Sequence, residues 1–154
     1  MIFKKSTILH TDIETAWKHL LKPDLLVFIA SPLQKFVPLQ PNSFPEQWKE
    51  GTYKVQLLAF GFIPFGNHSI VIEFPIKNNH EIKQLKDNGY GEIIKKWEHL
   101  IELKTTGNNQ TIYTDNVNVR AGLLTPFIWL YAAIFYTWRQ MRWKKLVQAH
   151  FSIL

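Results

Sequence analysis

The sequence predicts an α+β fold, a curved antiparallel sheet of about six or seven strands wrapped around one long C-terminal helix, with two short helices after the first strand. Three observations predict it. Apolar residues recur with period two through the middle of the chain. A helix-start signal with helical spacing follows the first strand. After Gly122 a charge-free stretch begins that opens what reads as one long helix. With 154 residues the chain suits a single domain over 1–154.

Ile2 to His10 reads as a strand that leads into a helix. Thr11 is a good N-cap and Glu14 stands three residues on, the pattern of a capping box. Ile13, Ala16, Trp17, Leu20 and Leu21 follow at helical spacing. Pro23 suits the first turn of a second helix over Asp24 to Ala30, where its missing N–H costs little, and Ser31-Pro32 ends it. Gln34 to Leu39 is a short strand, followed by a loop with Pro41, Pro45 and Gly51.

Tyr53, Val55, Leu57 and Ala59 form the apolar rank of the next strand, alternating with Lys54, Gln56 and Leu58. Gly61 to Gly66 punctuates the chain. His68, Ile70, Ile72, Phe74 and Ile76 form the following rank, and Asn78-Asn79 makes a turn. His80 to Lys86 reads as a further strand, closed by the turn signal Asp87-Asn88-Gly89. Trp97, His99, Ile101 and Leu103 then alternate with Lys96, Glu98, Leu100 and Glu102, and the turn is Gly107-Asn108-Asn109. A three-residue loop would place Thr106 opposite Gln110. Tyr113 then faces Leu103, Asp115 faces Ile101, Val117 faces His99 and Val119 faces Trp97, which aligns both apolar ranks on one face.

From Leu123 a long helix is expected, with Pro126 in its first turn. Ala121 to Trp138 carries no charge, at the lower edge for a membrane-spanning helix of roughly 17–25 residues. Three features favour packing on the sheet instead. Thr125 and Pro126 interrupt one end. Met141, Trp143, Leu146 and Val147 continue at helical spacing, and the strands upstream need a cover. By spacing, Phe127, Leu130, Tyr131, Ile134, Phe135 and Trp138 share the inward stripe. Surplus aromatics turned outward would suit a dimer contact or a membrane surface, and the chain is expected to be a monomer or a homodimer.

Composition narrows the chemistry. The chain has six Trp, eleven Phe and five Tyr, residues that suit thick cores and ligand cavities alike. There is no cysteine, so disulfides, thiolate metal sites and a cysteine nucleophile are excluded. No two of the six His stand at a familiar metal-ligand spacing, and neither a metal nor a cofactor is expected. No phosphate-cradling glycine loop and no Gly-x-Ser-x-Gly elbow is present. The N-terminus lacks the pattern of a signal peptide, so a cytoplasmic location is expected. Of the net charge of +6, Arg139, Arg142, Lys144 and Lys145 supply a large part. They read as a solvated helix end whose cations suit the C-terminal dipole. They meet only partly the interleaving of basic and aromatic residues that nucleic-acid binding requires, and no specific nucleic-acid partner is expected.

Strand, two helices, strands and one long helix is also an order with a familiar counterpart. Leu9-His10-Thr11-Asp12-Ile13-Glu14-Thr15-Ala16-Trp17, Gly51-Thr52-Tyr53, Leu58-Ala59-Phe60-Gly61-Phe62-Ile63-Pro64, Trp97-Glu98-His99 and Thr111 through Val117 occur in matching sequence order. On these stretches the chain resembles the SRPBCC superfamily over nearly its whole length. That superfamily includes START-like lipid-transfer domains, birch-pollen-allergen-like proteins and polyketide cyclases. Within it the chain is similar to a bacterial ligand-binding group often labelled cell-division-inhibitor-like. One departure is the segment Asn67-His68-Ser69-Ile70, where that group usually carries a Trp-Arg pair, so that pair's polar contact is not carried over.

The resemblance implies the helix-grip fold and an apolar pocket between sheet and helix. It also implies a hydrophobic small-molecule ligand, lipid-like or polyketide-like, and in some relatives cyclisation or dehydration. On the expected inner face lie Tyr53, Val55 and Leu57, then His68, Ile70 and Ile72. Trp97, His99 and Ile101 follow, facing Tyr113, Asp115 and Val117. Phe127, Tyr131 and Phe135 complete the wall from the helix. His99 and Asp115 lie diagonally on neighbouring strands. Asp115 could orient the imidazole for binding or protonating an oxygenated ligand, or the two could satisfy each other as a buried structural pair. Arg120, at its strand's end, is either exposed or placed to meet an anionic group at the cavity mouth.

Overall fold

A computed structural model describes residues 1–154. The chain runs β1 (Ile2–Leu9), α1 (Ile13–Leu20), α2 (Pro23–Ala30), β2 (Gln34–Gln40), β3 (Gly51–Ala59), β4 (Ile63–Glu73), β5 (Ile82–Gly91), β6 (Lys96–Gly107), β7 (Gln110–Arg120), and a short 3₁₀ turn at Gly122–Leu124, then α3 (Thr125–Gln148). All seven strands form one antiparallel sheet in the order β1-β7-β6-β5-β4-β3-β2. The α+β architecture predicted from sequence is therefore the one found. No helix is long and apolar enough to cross a membrane.

The β6–β7 hairpin has the predicted register, with Trp97 opposite Val119, His99 opposite Val117, Ile101 opposite Asp115 and Leu103 opposite Tyr113. Its tip differs. Gly107, not Thr106, pairs with Gln110, and the loop is the two residues Asn108 and Asn109, with φ of 52° and 56°. Asparagine tolerates that left-handed backbone, which a tight hairpin turn needs at both central positions. The extra residue becomes a bulge at Thr106, which restores the register.

Three further expectations are corrected. The N-cap of α1 is Asp12, not Thr11, and its Oδ1 accepts the Thr15 N–H at 2.8 Å. Glu14 does not close a capping box, because its carboxylate is taken by Lys83 (3.2 Å) and His80 (3.0 Å). Phe74 and Ile76 lie past the end of β4. Asp87-Asn88-Gly89 is no turn, since β5 continues through it to Gly91. A Cβ on Gly89 would stand 2.6 Å from His68 Nε2 and 3.1 Å from Asp87 Oδ1. The glycine thus serves close side-chain approach inside a sheet rather than a bend.

α3 packs over the sheet as expected, but its inward stripe is Ile128, Ala132, Phe135, Tyr136, Arg139, Gln140, Trp143, Leu146 and Val147. Phe127 is 72% exposed, and Leu130 and Ile134 are also exposed, contrary to the expected stripe. The basic segment is a solvated end only at Lys144 and Lys145. Arg139 is buried, and Arg142 is half-buried with its guanidinium 4.3 Å from the Phe28 ring and its Nε donating to Phe28 O at 3.1 Å. The interior forms two apolar clusters. One gathers Leu9, α1, α2 and the Trp143 end of α3, and the other gathers Ala30, Ile94, Val117, Val119 and the Ile128–Tyr136 part of α3.

Candidate functional site

Between the two clusters lies a cavity of about 90 Å³. Seventeen of its 22 lining residues are hydrophobic, and the other five are Gln34, His68, Asp87, His99 and Arg139. These five side chains set polar groups into an otherwise apolar wall. Apolar atoms close-pack without a hydration requirement, whereas buried polar groups demand partners.

Strand alternation positions the walls. β4 turns His68, Ile70 and Ile72 inward, β5 turns Leu85 and Asp87, and β6 turns Trp97, His99 and Ile101. From the remaining elements come Leu57 of β3, Leu25 and Ile29 of α2, and Tyr131, Phe135 and Arg139 of α3. The structure therefore brings nine of the sequence-predicted residues to the wall, the last of them Phe135. It places the others elsewhere. Tyr53 holds the β2–β3 loop by donating to Lys49 O at 3.1 Å. Val55 and Val117 are fully buried in the packed clusters. Tyr113 packs edge-on against Trp143 at 6.0 Å, and Asp115 stands behind the wall. Phe127 points to solvent, and Arg120 at the end of β7 is exposed, away from this cavity.

Asp115 is fully buried and accepts three hydrogen bonds. His99 Nε2 lies at 2.7 Å and Tyr113 OH at 2.7 Å from its Oδ1, and Gln140 Nε2 lies 2.8 Å from Oδ2. Burial alone would raise its carboxyl. The His99 bond and charge, the Arg139 charge and the Tyr113 bond outweigh that and hold it below the usual carboxylate value. An ionised carboxylate only accepts, so His99 carries its proton on Nε2 and keeps Nδ1 as its free nitrogen. Burial, partly offset by Asp115, lowers His99. The ring rests on Tyr136, centroids 4.5 Å apart, and Tyr136 accepts a bond from Trp97 Nε1 at 3.0 Å.

Asp87, His68 and Arg139 were not recognised from sequence as one polar group. Asp87 Oδ1 accepts the Val71 N–H at 2.8 Å, and burial pushes its carboxyl up to about 7. It keeps intermediate exposure, as befits a side chain facing a cavity. Burial pushes His68 down to about 4, which leaves it neutral. Arg139 lies with its guanidinium 4.9 Å from the Tyr136 ring and 5.6 Å from the Phe135 ring. At the cavity's edge Tyr131 donates to Gln34 Oε1 at 2.8 Å. No group of three or more His, Asp or Glu is placed to hold a metal ion.

Solved structures share this fold. A START superfamily protein from Mycobacterium smegmatis superposes with a TM-score of 0.61 at 12% identity, covering 96% of this chain and 97% of its own. The chain has a START-like helix-grip fold. A conserved protein from Geobacillus kaustophilus gives 0.65 at 17% identity, over 97% and 96% of the two chains. The Zhui aromatase/cyclase of Streptomyces sp. R1128 gives 0.55 at 12% identity, over 97% and 92%. No protein-family model and no curated protein sequence matches the chain. At these identities the likeness extends to the helix-grip fold and not to a subgroup within it.

Proposed function

We propose that the protein binds a hydrophobic small molecule in the cavity between the sheet and α3. The observation that carries this reading is a lining of 17 apolar residues in 22 with a few convergent polar groups, the make-up of a ligand site. Volume constrains the ligand. The space of about 90 Å³ is smaller than the ~150 Å³ cavity that holds a benzene-sized guest. A small ring or a short chain already requires the wall side chains to give way a little. A lipid-like or polyketide-like molecule requires the half-buried side chains at the cavity, Leu26, Phe36, Phe65, Trp97 and Tyr131, to part. Native mass spectrometry of protein purified from its own host tests the reading. A retained organic molecule in stoichiometric amount is expected. Protein that carries none and binds no member of a small apolar library sinks it.

A second reading rests on the His99–Asp115 contact. An imidazole oriented by a buried carboxylate, lining the cavity with one nitrogen free, is built as an acid–base group. The aromatase/cyclase with the same fold is consistent with such a use. Under this reading the bound molecule loses water or cyclises on incubation, and the His99→Gln variant still binds it but leaves it unchanged. A molecule returned chemically intact by the unaltered protein favours carriage alone.

A further inference from the structure

We propose that Arg139 is the receptor for a carboxylate on the cavity's ligand, so that the molecule bound is a small apolar acid. This rests on the cavity being a ligand site and adds the charge of the ligand.

Arg139 is 4% exposed, lines the cavity, and has a buried Nε with no hydrogen-bond partner. It belongs to none of the ion pairs of the molecule, which involve Glu14, Glu98 and Asp115 with lysines or histidines. Charges nearby, Asp115 among them, offset the desolvation of the cation, but no carboxylate lies in contact with the guanidinium and its buried Nε–H is left unmet. The two candidates within the protein are otherwise engaged. Asp115 already accepts from His99, Tyr113 and Gln140. Asp87 gives Oδ1 to the Val71 N–H and forms no ion pair. The faces of Phe135 and Tyr136 flank the guanidinium and the Tyr136 side chain helps stabilise the cation, but neither is an anion and Nε stays without a partner.

The fork geometry of a guanidinium matches a carboxylate in a bidentate pair, and such charge-assisted bonds are the strong ones. A phosphate ester fits poorly, since the cavity offers one cation, no lysine and largely apolar walls. The groups facing Arg139 across the cavity also suit an acid. His68 is neutral, and Asp87 in its protonated form is a donor to the same ligand oxygens. The apolar remainder of the ligand then lies against Leu25, Ile29, Leu57 and Ile70.

The test is calorimetric titration with matched pairs of acid and primary amide, benzoate with benzamide and hexanoate with hexanamide. The acid of at least one pair is expected to bind more tightly than its amide by at least about tenfold. Arg139→Gln should abolish that preference, read as the ratio of acid to amide affinity, and Arg139→Lys should keep a weakened preference because the charge survives without the fork. Near-ultraviolet circular dichroism checks that each variant is folded. If Arg139→Gln does not fold, the acid-to-amide ratio of the unaltered protein and Arg139→Lys decides. Equal binding of acid and amide overturns the assignment of Arg139 and leaves the cavity reading standing. A preference for acid that survives in Arg139→Gln also overturns it. Failure of every acid and every amide to bind overturns the assignment of Arg139, and the cavity reading falls with it only if protein from the host also carries no molecule.

Discussion

The two halves of α3 invert what their composition suggests. Residues 125–138 carry no charge, yet they turn Phe127, Leu130 and Ile134 to solvent and pack against a hollow. Residues 139–148 carry every charge of the helix, yet they bury Trp143 and Leu146 completely and pack solidly against Tyr113 and Phe151. Burial here follows the phase of one continuous stripe and not the local hydropathy. Arg139 and Gln140 are its two polar steps, at the junction between the hollow half and the solid one.

The largest test of that contrast is to truncate one ring in each half. Trp143→Ala removes a fully buried indole that contacts Tyr113 and Phe151, and should cost about 3–5 kcal/mol. Phe127→Ala should change stability by no more than about 0.5 kcal/mol. Urea unfolding measures both, and comparable losses would break the contrast. Asp115→Ala comes next. It strands the Tyr113, His99 and Gln140 donors in a dry interior, and about 3 kcal/mol should be lost. A melting temperature unchanged by this variant would show that the polar layer between the halves contributes nothing to holding them.

The sheet was legible because its signals are local. Alternation in β3 and β6 and the matching of ranks across β6–β7 fix which side chains face inward, so His99 and Asp115 were placed together from spacing alone. The helix was less legible. A segment apolar all round has no phase of its own, and Phe127, Leu130 and Ile134 were set inward on that account. Extending the phase of Trp143, Leu146 and Val147 backward by helical steps reaches Gln140, Arg139, Tyr136, Ala132 and Ile128. That signal was present, but Arg139 reads as part of a basic run. Asp87 was hidden differently. It follows Lys83 and Leu85 in strict alternation, and the Asp-Asn-Gly turn signature overrode the period. A glycine required for close approach and a glycine required for a turn look alike in one sequence.

Asp87 offers a smaller effect that sharpens the picture of the hollow half. Its folded value near 7 lies above the ordinary 3.8, so folding favours the protonated form. Its stabilising contribution is fully present below about 3.8 and is lost as pH rises through about 7. His68 runs the other way. Its folded value near 4 lies below 6.5, so its contribution is present above 6.5 and lost as pH falls through about 4. Asp87→Asn should therefore gain on the unaltered protein as pH rises from 5 to 8, by roughly 2 kcal/mol at the upper end. Chemical denaturation across that range reads the difference, and parallel pH profiles would mean that water reaches the Asp87 carboxylate freely.

The smallest effect separates two accounts of the basic end of α3. If its cations acted through the helix dipole, Lys145 in the last turn would contribute most and Arg142 least, and added salt would erase the contribution of each. The structure distinguishes them. Lys144 and Lys145 are exposed, whereas Arg142 bridges to α2 through a stacking contact on Phe28 and an Nε bond to its carbonyl. Arg142→Ala should cost about 1 kcal/mol, and Lys144→Ala no more than about 0.5 kcal/mol. Arg142→Lys should recover only part of the loss, because an ammonium neither stacks on the ring nor supplies the Nε donor. The Arg142 increment should also persist at high salt, since a half-buried stacked contact is screened far less than an exposed charge. An increment that vanished with salt would return Arg142 to the solvated end and confine the solid half of α3 to its apolar side chains.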